Sequence, residues 1–265
     1  AWALRGFDTF LLDMALDPGF AAELLERITE IQLVLIRRWL ELGVDGGYFG
    51  DDYGAQSNML FSPRMWRSLI KPRLARMFAP FREAGLPVIL HSDGQIASIL
   101  PDLVEIGLTA YNPVQPEVID HRWLRDTFGD RLAYYGGIST QTVLPHGSPP
   151  DVKRAVADCM EVLAPDYTGL LLAPSHRLMT DVPLENVEAL LAVVPPPSPP
   201  SASGSGKETP HKSSVNEDAM DQLTTPTKYA ILREGDVTLG VPVDGATGTR
   251  AMRRKDRLAG PFGRV

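Results

Sequence analysis

Hydrophobic residues recur at helical spacing from Asp17-Pro18 through Leu24, Leu25, Ile28, Ile31, Leu35 and Leu40, with Asp placed to cap the first turn and Pro suited to it. This pattern predicts a long amphipathic helix ending near Gly43. A short aromatic-rich run, Gly46 to Asp52, reads as a strand, and a loop over Tyr53 to Phe61 leads to a second helical pattern from Ser62-Pro63 to Ala84. The same order then repeats. Pro87 to His91, Thr109 to Val114, Leu132 to Ile138 and Gly169 to Ala173 read as buried strands, and each precedes a helical pattern: Ile96 to Ile106, Arg122 to Phe128, Pro150 to Leu163 and Leu184 to Val194.

Five strand-then-helix units with continuously apolar strands imply a parallel sheet covered by helices, an α/β fold. An open doubly wound sheet usually carries a Gly-rich phosphate loop after its first strand, and neither G-x-G-x-x-G nor a Walker pattern is present. A (β/α)8 TIM barrel is therefore expected. A complete barrel needs about 250 residues, so residues 1–194 are read as about the last five of its eight units.

Composition divides the chain at its prolines. The run Pro195 to Pro200 opens a Pro/Ser/Gly-rich linker over 195–227, followed by a polar tail over 228–265 in which Tyr229–Leu232 and Val237–Val243 are candidates for a small hairpin. Arg253, Arg254, Lys255 and Arg257 read as a solvated basic cluster. The excess of 33 Asp and Glu over 26 Lys and Arg lies in the part before the linker, which argues against tracking a nucleic-acid backbone and for small-molecule work. The single cysteine, Cys159, excludes an internal disulfide and a Cys-rich zinc cluster, and no apolar run reaches the ~18 residues of a membrane span. The chain opens Ala1-Trp2-Ala3-Leu4 without Met or a signal-like pattern, which reads as a missing beginning and a cytoplasmic setting. Five strands would leave two open sheet edges, so the chain by itself is expected to be poorly soluble or inactive.

In barrel enzymes the chemistry lies at the C-terminal ends of the strands. Here those ends read Asp51-Asp52-Tyr53, His91-Ser92-Asp93-Gly94, Asn112 with Gln115, Gly136-Gly137-Ile138-Ser139, and Ser175-His176. His91 and Asp93 lie two residues apart, on one side of an extended segment, and His176 arrives from the last strand. Two imidazoles and a carboxylate suit a borderline cation such as zinc with an open fourth position. Asp93-Gly94 is equally a turn signal, and metal-free active-site roles for these residues stay open. Asp51 or Asp52 is a candidate to bind substrate or move a proton. His121 and His146, the latter in the Pro-rich loop Leu144 to Pro149, read as surface or capping residues. Cys159, Trp39, Trp66 and Trp123 read as packing.

Several ordered motifs carry a resemblance. Leu42-Gly43-Val44-Asp45-Gly46, Phe49-Gly50-Asp51-Asp52, Ser62-Pro63, Lys71-Pro72, Pro87-Val88-Ile89, Phe128-Gly129-Asp130-Arg131-Leu132, Gly136-Gly137-Ile138, Pro174-Ser175-His176 and Asp181 to Val187 resemble the C-terminal part of the uroporphyrinogen decarboxylase superfamily. The resemblance implies a (β/α)8 barrel whose first three or so units lie outside this chain, and a possible homodimer at full length. One branch decarboxylates the acetate arms of a tetrapyrrole without a cofactor; His176 matches its late His, whereas Asp52 falls near its Ser. The other branch comprises cobalamin-dependent methyltransferases, where zinc activates a methoxy or thiol substrate for exchange with a corrinoid partner protein. Several of those carry H-x-C where this chain has His91-x-Asp93, and a Cys near His176. The resemblance therefore implies a metal site of His91, Asp93 and His176, with Asp52, His176 and Asp51 as catalytic candidates. Tyr53, Asn112, Gln115, Ser139 and Ser175 are the substrate-binding candidates. A decarboxylase, and a non-catalytic barrel that binds a tetrapyrrole, are the alternatives.

Overall fold

Five parallel strands hydrogen-bond in sequence order, as the repeated strand-helix units predict. The computed structural model describes residues 1–192; the linker, the hairpin and the basic cluster expected beyond Pro195 lie outside the described residues. The strands are β1 (Gly47–Gly50), β2 (Val88–His91), β3 (Ala110–Val114), β4 (Ala133–Ile138) and β5 (Leu170–Pro174). Among the described residues β1 and β5 do not pair with each other, so the sheet is an open section of a TIM barrel.

Two short helices absent from the sequence reading open the chain: α1 (Trp2–Arg5) and α2 (Phe7–Leu16). The expected long helix is α3 (Pro18–Glu41), capped where the Asp17 side chain accepts the Phe20 amide. The helix expected over 62–84 is instead two, α4 (Pro63–Leu69) and α5 (Lys71–Glu83), separated at Ile70. Pro72 explains the break: it has no amide to give, and its ring crowds the carbonyl of the preceding turn. The helix expected over 96–106 is confined to α6 (Leu100–Glu105), with Pro101 in its first turn. Next come α7 (His121–Phe128), capped by Asp120, and a turn of 3-10 helix. His146 lies in a short helix, α8 (Val143–His146), where a Pro-rich loop was expected. The remaining helices are α9 (Pro149–Leu163), opened by a reciprocal Ser148–Asp151 cap, and α10 (Leu184–Ala192).

The core lies between the sheet and these helices. Phe49 packs against Phe78 and Phe81 of α5 with ring centroids 4.9 and 5.9 Å apart, and Trp66, Phe78, Phe81, Leu90, Tyr111, Val156 and Leu172 are fully enclosed. Cys159 is buried in that layer, directly under Gly137. Because Phe49 faces the helices, strand alternation turns Tyr48 and Asp52 to the opposite face. The β3–β4 register shifts between Tyr111 and Val114, where Pro113 has no amide for the ladder.

Candidate functional site

Sheet hydrogen bonds continue one step past the strands and hold the site segments in strand geometry. The Asp51 amide donates to the His91 carbonyl at 3.0 Å, Ser92 to Asn112 at 2.8 Å, and Ser175 to Ile138 at 2.7 Å. Strand-end side chains are consequently fixed relative to one another. Asp52, His91 and Asp93 bring one donor atom each within 4.8 Å of the others. His91 Nε2 lies 3.8 Å from Asp52 Oδ1 and 3.8 Å from Asp93 Oδ2, and His176 Nε2 lies 3.5 Å from Asp93 Oδ2.

The metal set expected from sequence, His91, Asp93 and His176, is thus regrouped. Asp52 joins His91 and Asp93, and His176 stands beside Asp93 as a more exposed fourth member. The reason is positional: β1 and β2 are neighbours, whereas β5 reaches β2 only across β3 and β4.

The imidazole of His91 is held by a second layer. Its Nδ1 lies 2.7 Å from Asn112 Oδ1, which also accepts the Tyr48 hydroxyl at 3.0 Å, while Asn112 Nδ2 donates to the Tyr135 carbonyl at 3.4 Å. That network orients the amide with its oxygen toward His91, so the ring proton sits on Nδ1 and the Nε2 lone pair faces the carboxylates. Asp52 Oδ1 accepts the Asp93 amide at 2.9 Å, tying the two carboxylate-bearing loops together. Burial pushes the Asp93 carboxyl upward; the His91 and His176 rings oppose that shift, and the Asp52 charge adds to it.

Several expected site residues take other places. Asp51 lies on the helix side beside Tyr53, and burial pushes its carboxyl upward, an effect limited by the surface the residue still exposes. Tyr53 is only 2% exposed and packs edge-on against Trp66 at 6.0 Å, so it is a core residue and not a substrate contact. Asn112 supports His91 from beneath. Ser139 accepts the Thr142 amide at 2.8 Å, closing the turn into α8, and donates to Glu117, so its hydroxyl is committed to the scaffold. His121 is half-buried where a surface position was expected, and burial lowers its imidazole.

Gln115 and Ser175 do reach open space. They line a pocket of about 370 Å3 together with Asp93 and His176, and with Gln56, Thr140, Gln141 and Arg177, which the sequence reading passed over. Gln56 sits at the tip of the loop after β1, which folds back through a Gly54–Met59 bridge. This loop presses on the loop after β2, where the Gln95 amide donates to the Ala55 carbonyl at 2.8 Å. Gly54 and Gly94 cross there with no room for a side chain: a Cβ on either would lie 2.6 Å from the other segment's backbone. Gln56 and Gln141 then bridge reciprocally at 3.3 and 3.4 Å, and Gln115 Nε2 approaches Gln56 Oε1 at 3.5 Å.

The sequence profile of the family uroporphyrinogen decarboxylase (URO-D) matches residues 2–195, most of the chain. The chain belongs to the uroporphyrinogen decarboxylase family. No curated protein matches it. A solved structure, a methyltransferase from Methanosarcina mazei, shares this URO-D chain's fold with a TM-score of 0.57 at 23% identity, over 70% of this chain and 52% of the methyltransferase. This URO-D chain thus spans about half the length of that structure. No helix among the described residues is long and apolar enough to cross a membrane.

Proposed function

We propose that this chain contributes the metal-holding strand ends of a methyl-transfer site, at which a methyl group moves between a small methoxy or thiol substrate and a corrinoid partner protein. One observation carries the reading: two carboxylates and an imidazole converge at Asp52, His91 and Asp93, with His176 adjoining. Bonds of about 2.0–2.2 Å from zinc to nitrogen and oxygen put tetrahedral ligands roughly 3.3–3.6 Å apart. The two His91–carboxylate separations of 3.8 Å come within a few tenths of an ångström of that, and all three donor atoms lie within 4.8 Å of one another. The donor set fits zinc without a thiolate.

Asp52, His91 and Asp93 would hold the ion, and Asn112 keeps His91 Nε2 turned inward. Bound there, zinc supplies Lewis acidity toward the substrate's oxygen or sulfur. When a methoxy substrate gives up its methyl group to the corrinoid, its oxygen gains negative charge. His176 Nε2, beside Asp93 at the pocket rim, is the group positioned to deliver a proton to it. The pocket beside it, about 370 Å3, lies within the ~300–1,000 Å3 typical of ligand sites and has room for a small substrate. Likeness in fold to a solved methyltransferase supports the same direction.

Metal analysis of the purified protein tests this reading. About one equivalent of zinc is expected, lost in His91→Ala; less than about a tenth of an equivalent, unchanged by His91→Ala, removes the proposal. Conversion of uroporphyrinogen to coproporphyrinogen without added metal would instead establish the decarboxylase.

A further inference from the structure

The pocket beside the cluster has a composition that its role as reaction centre does not require. Beside Met179, Ala55 and the Gly54 and Gly94 backbone, its wall carries several hydrogen-bond donors: the amides of Gln56, Gln115 and Gln141, the hydroxyls of Thr140 and Ser175, and the guanidinium of Arg177. These residues come from the loops after β1, β3, β4 and β5, so four separate segments deliver donors to one space. Local sequence does not impose such convergence.

Two details show that this wall is built and still free to engage a ligand. Ser175 is 2% exposed and fixed by Thr140, whose amide and hydroxyl lie 3.3 and 3.2 Å from Ser175 Oγ; Gln115 is 7% exposed and accepts the Gly94 amide at 3.3 Å. The amide contacts among Gln56, Gln115 and Gln141, by contrast, span 3.3–3.5 Å, well beyond the ~2.9–3.0 Å of a good N–H···O bond, so exchanging them for bonds to a ligand costs little. Arg177 makes no ion pair among the described residues, unlike most of the arginines on the helices. A planar guanidinium with five donors matches a carboxylate in two-point fashion, and neutral amide donors beside it add bonds without adding charge.

We propose that this donor wall recognises a carboxylate, and that the small molecule taken by the pocket is an acid anchored by Arg177 with Gln141 and Gln56, its opposite end directed at Asp93 and His176. The placement of that reactive end rests on the proposed function; the recognition of the carboxylate does not. A single negative charge is the complement the site lacks. Placed nearer the cluster, the same charge would meet Asp52 and Asp93.

Binding of 3-methoxypropionate and its uncharged amide, measured by saturation-transfer NMR and calorimetry on the chelator-treated full chain, tests the proposal without any metal for the acid to ligate. The acid is expected to bind at least about fivefold more tightly than the amide. Arg177→Gln should bring the two within about twofold, Gln141→Leu should weaken the acid about threefold or more, and His91→Ala should leave the preference in place. Equal binding of acid and amide to the unsubstituted chain, or a preference that survives Arg177→Gln, overturns the proposal. Arg177 and Gln141 are exposed, so thermal melts of those variants should overlay the parent and separate recognition from folding. A chain that prefers the acid but takes up no zinc would refute the metal reading alone; one that binds zinc but not the acid would refute the donor wall alone.

Discussion

Asn112→Leu isolates the support beneath the proposed metal site. Asn112 is 6% exposed and does not line the pocket beside the cluster, so leucine fills a similar volume while deleting the acceptor of the His91 Nδ1 proton and of the Tyr48 hydroxyl. Two consequences follow. The His91 ring loses the bond that fixes its tautomer and rotation, a perturbation that typically weakens metal binding tenfold to a hundredfold, or about 1.4–2.7 kcal/mol. The Tyr48 hydroxyl, half exposed on β1, can turn to water, so the stability cost should stay near 1 kcal/mol. Competition against a chromophoric zinc chelator at fixed pH measures the first quantity, and urea denaturation of the metal-free chain measures the second. Asn112→Asp, which keeps an acceptor facing His91, should retain affinity better than the leucine variant. Zinc affinity within twofold of the parent in a folded Asn112→Leu chain would show that His91 does not depend on this bond, and the proposed coordination would fail with it.

Gly94→Ala places a Cβ 2.6 Å from the Gly54 backbone at a residue with φ of +79°, so a loss of about 2–4 kcal/mol is expected in urea unfolding, with an unchanged slope. Asp102 bridges Arg67 and Lys71 at 2.9 and 2.7 Å, and although burial opposes it, those partners hold its carboxyl below the ordinary 3.8. Its contribution, on the order of 1 kcal/mol, is complete above that ordinary value and lost as pH falls through the lowered one. The stability gap between the parent and Asp102→Asn should therefore shrink between pH 7 and pH 3; a constant gap would contradict the pairing. Cys159 is fully enclosed, and burial pushes its thiol up to about 12, so a disulfide reagent should leave it untouched in the folded chain and modify it in denaturant. Rapid reaction under native conditions would mean that the α9 layer opens readily.

The later strands were legible because they are short, continuously apolar runs, as burial in a parallel sheet demands, whereas β1, with Tyr48 half exposed, is marked by its aromatic residues. Helix limits were less legible where proline decides them: Pro72 divides what periodicity alone joins, and Pro101 shortens α6. At the site, the rule that chemistry collects at strand ends located Asp52, His91, Asp93 and His176. It did not distinguish Asp51 from Asp52, although the parity of β1, with Phe49 toward the helices, assigns Asp52 to the inner face. Tyr53 was misplaced because an aromatic ring next to a polar strand end is equally suited to core packing, which Trp66 and Phe61 provide. Gln56 and Gln141 are not legible in the sequence because they lie a few residues beyond the strand ends, and only the folded-back loop after β1 brings them together. Arg177 was one position from His176, and its significance came from the donors around it.

The Gly54–Gly94 crossing separates two kinds of evolutionary freedom. It pins the loop after β1 to the loop after β2 at a point two residues from Asp52 and one from Asp93. Beyond that pivot, residues 55–58 are exposed and carry the Gln56 contact. Changes at the tip can thus retune which molecule enters the pocket while the pivot keeps the carboxylates in register, so that substitution in a four-residue arc alters recognition without rebuilding the proposed metal site.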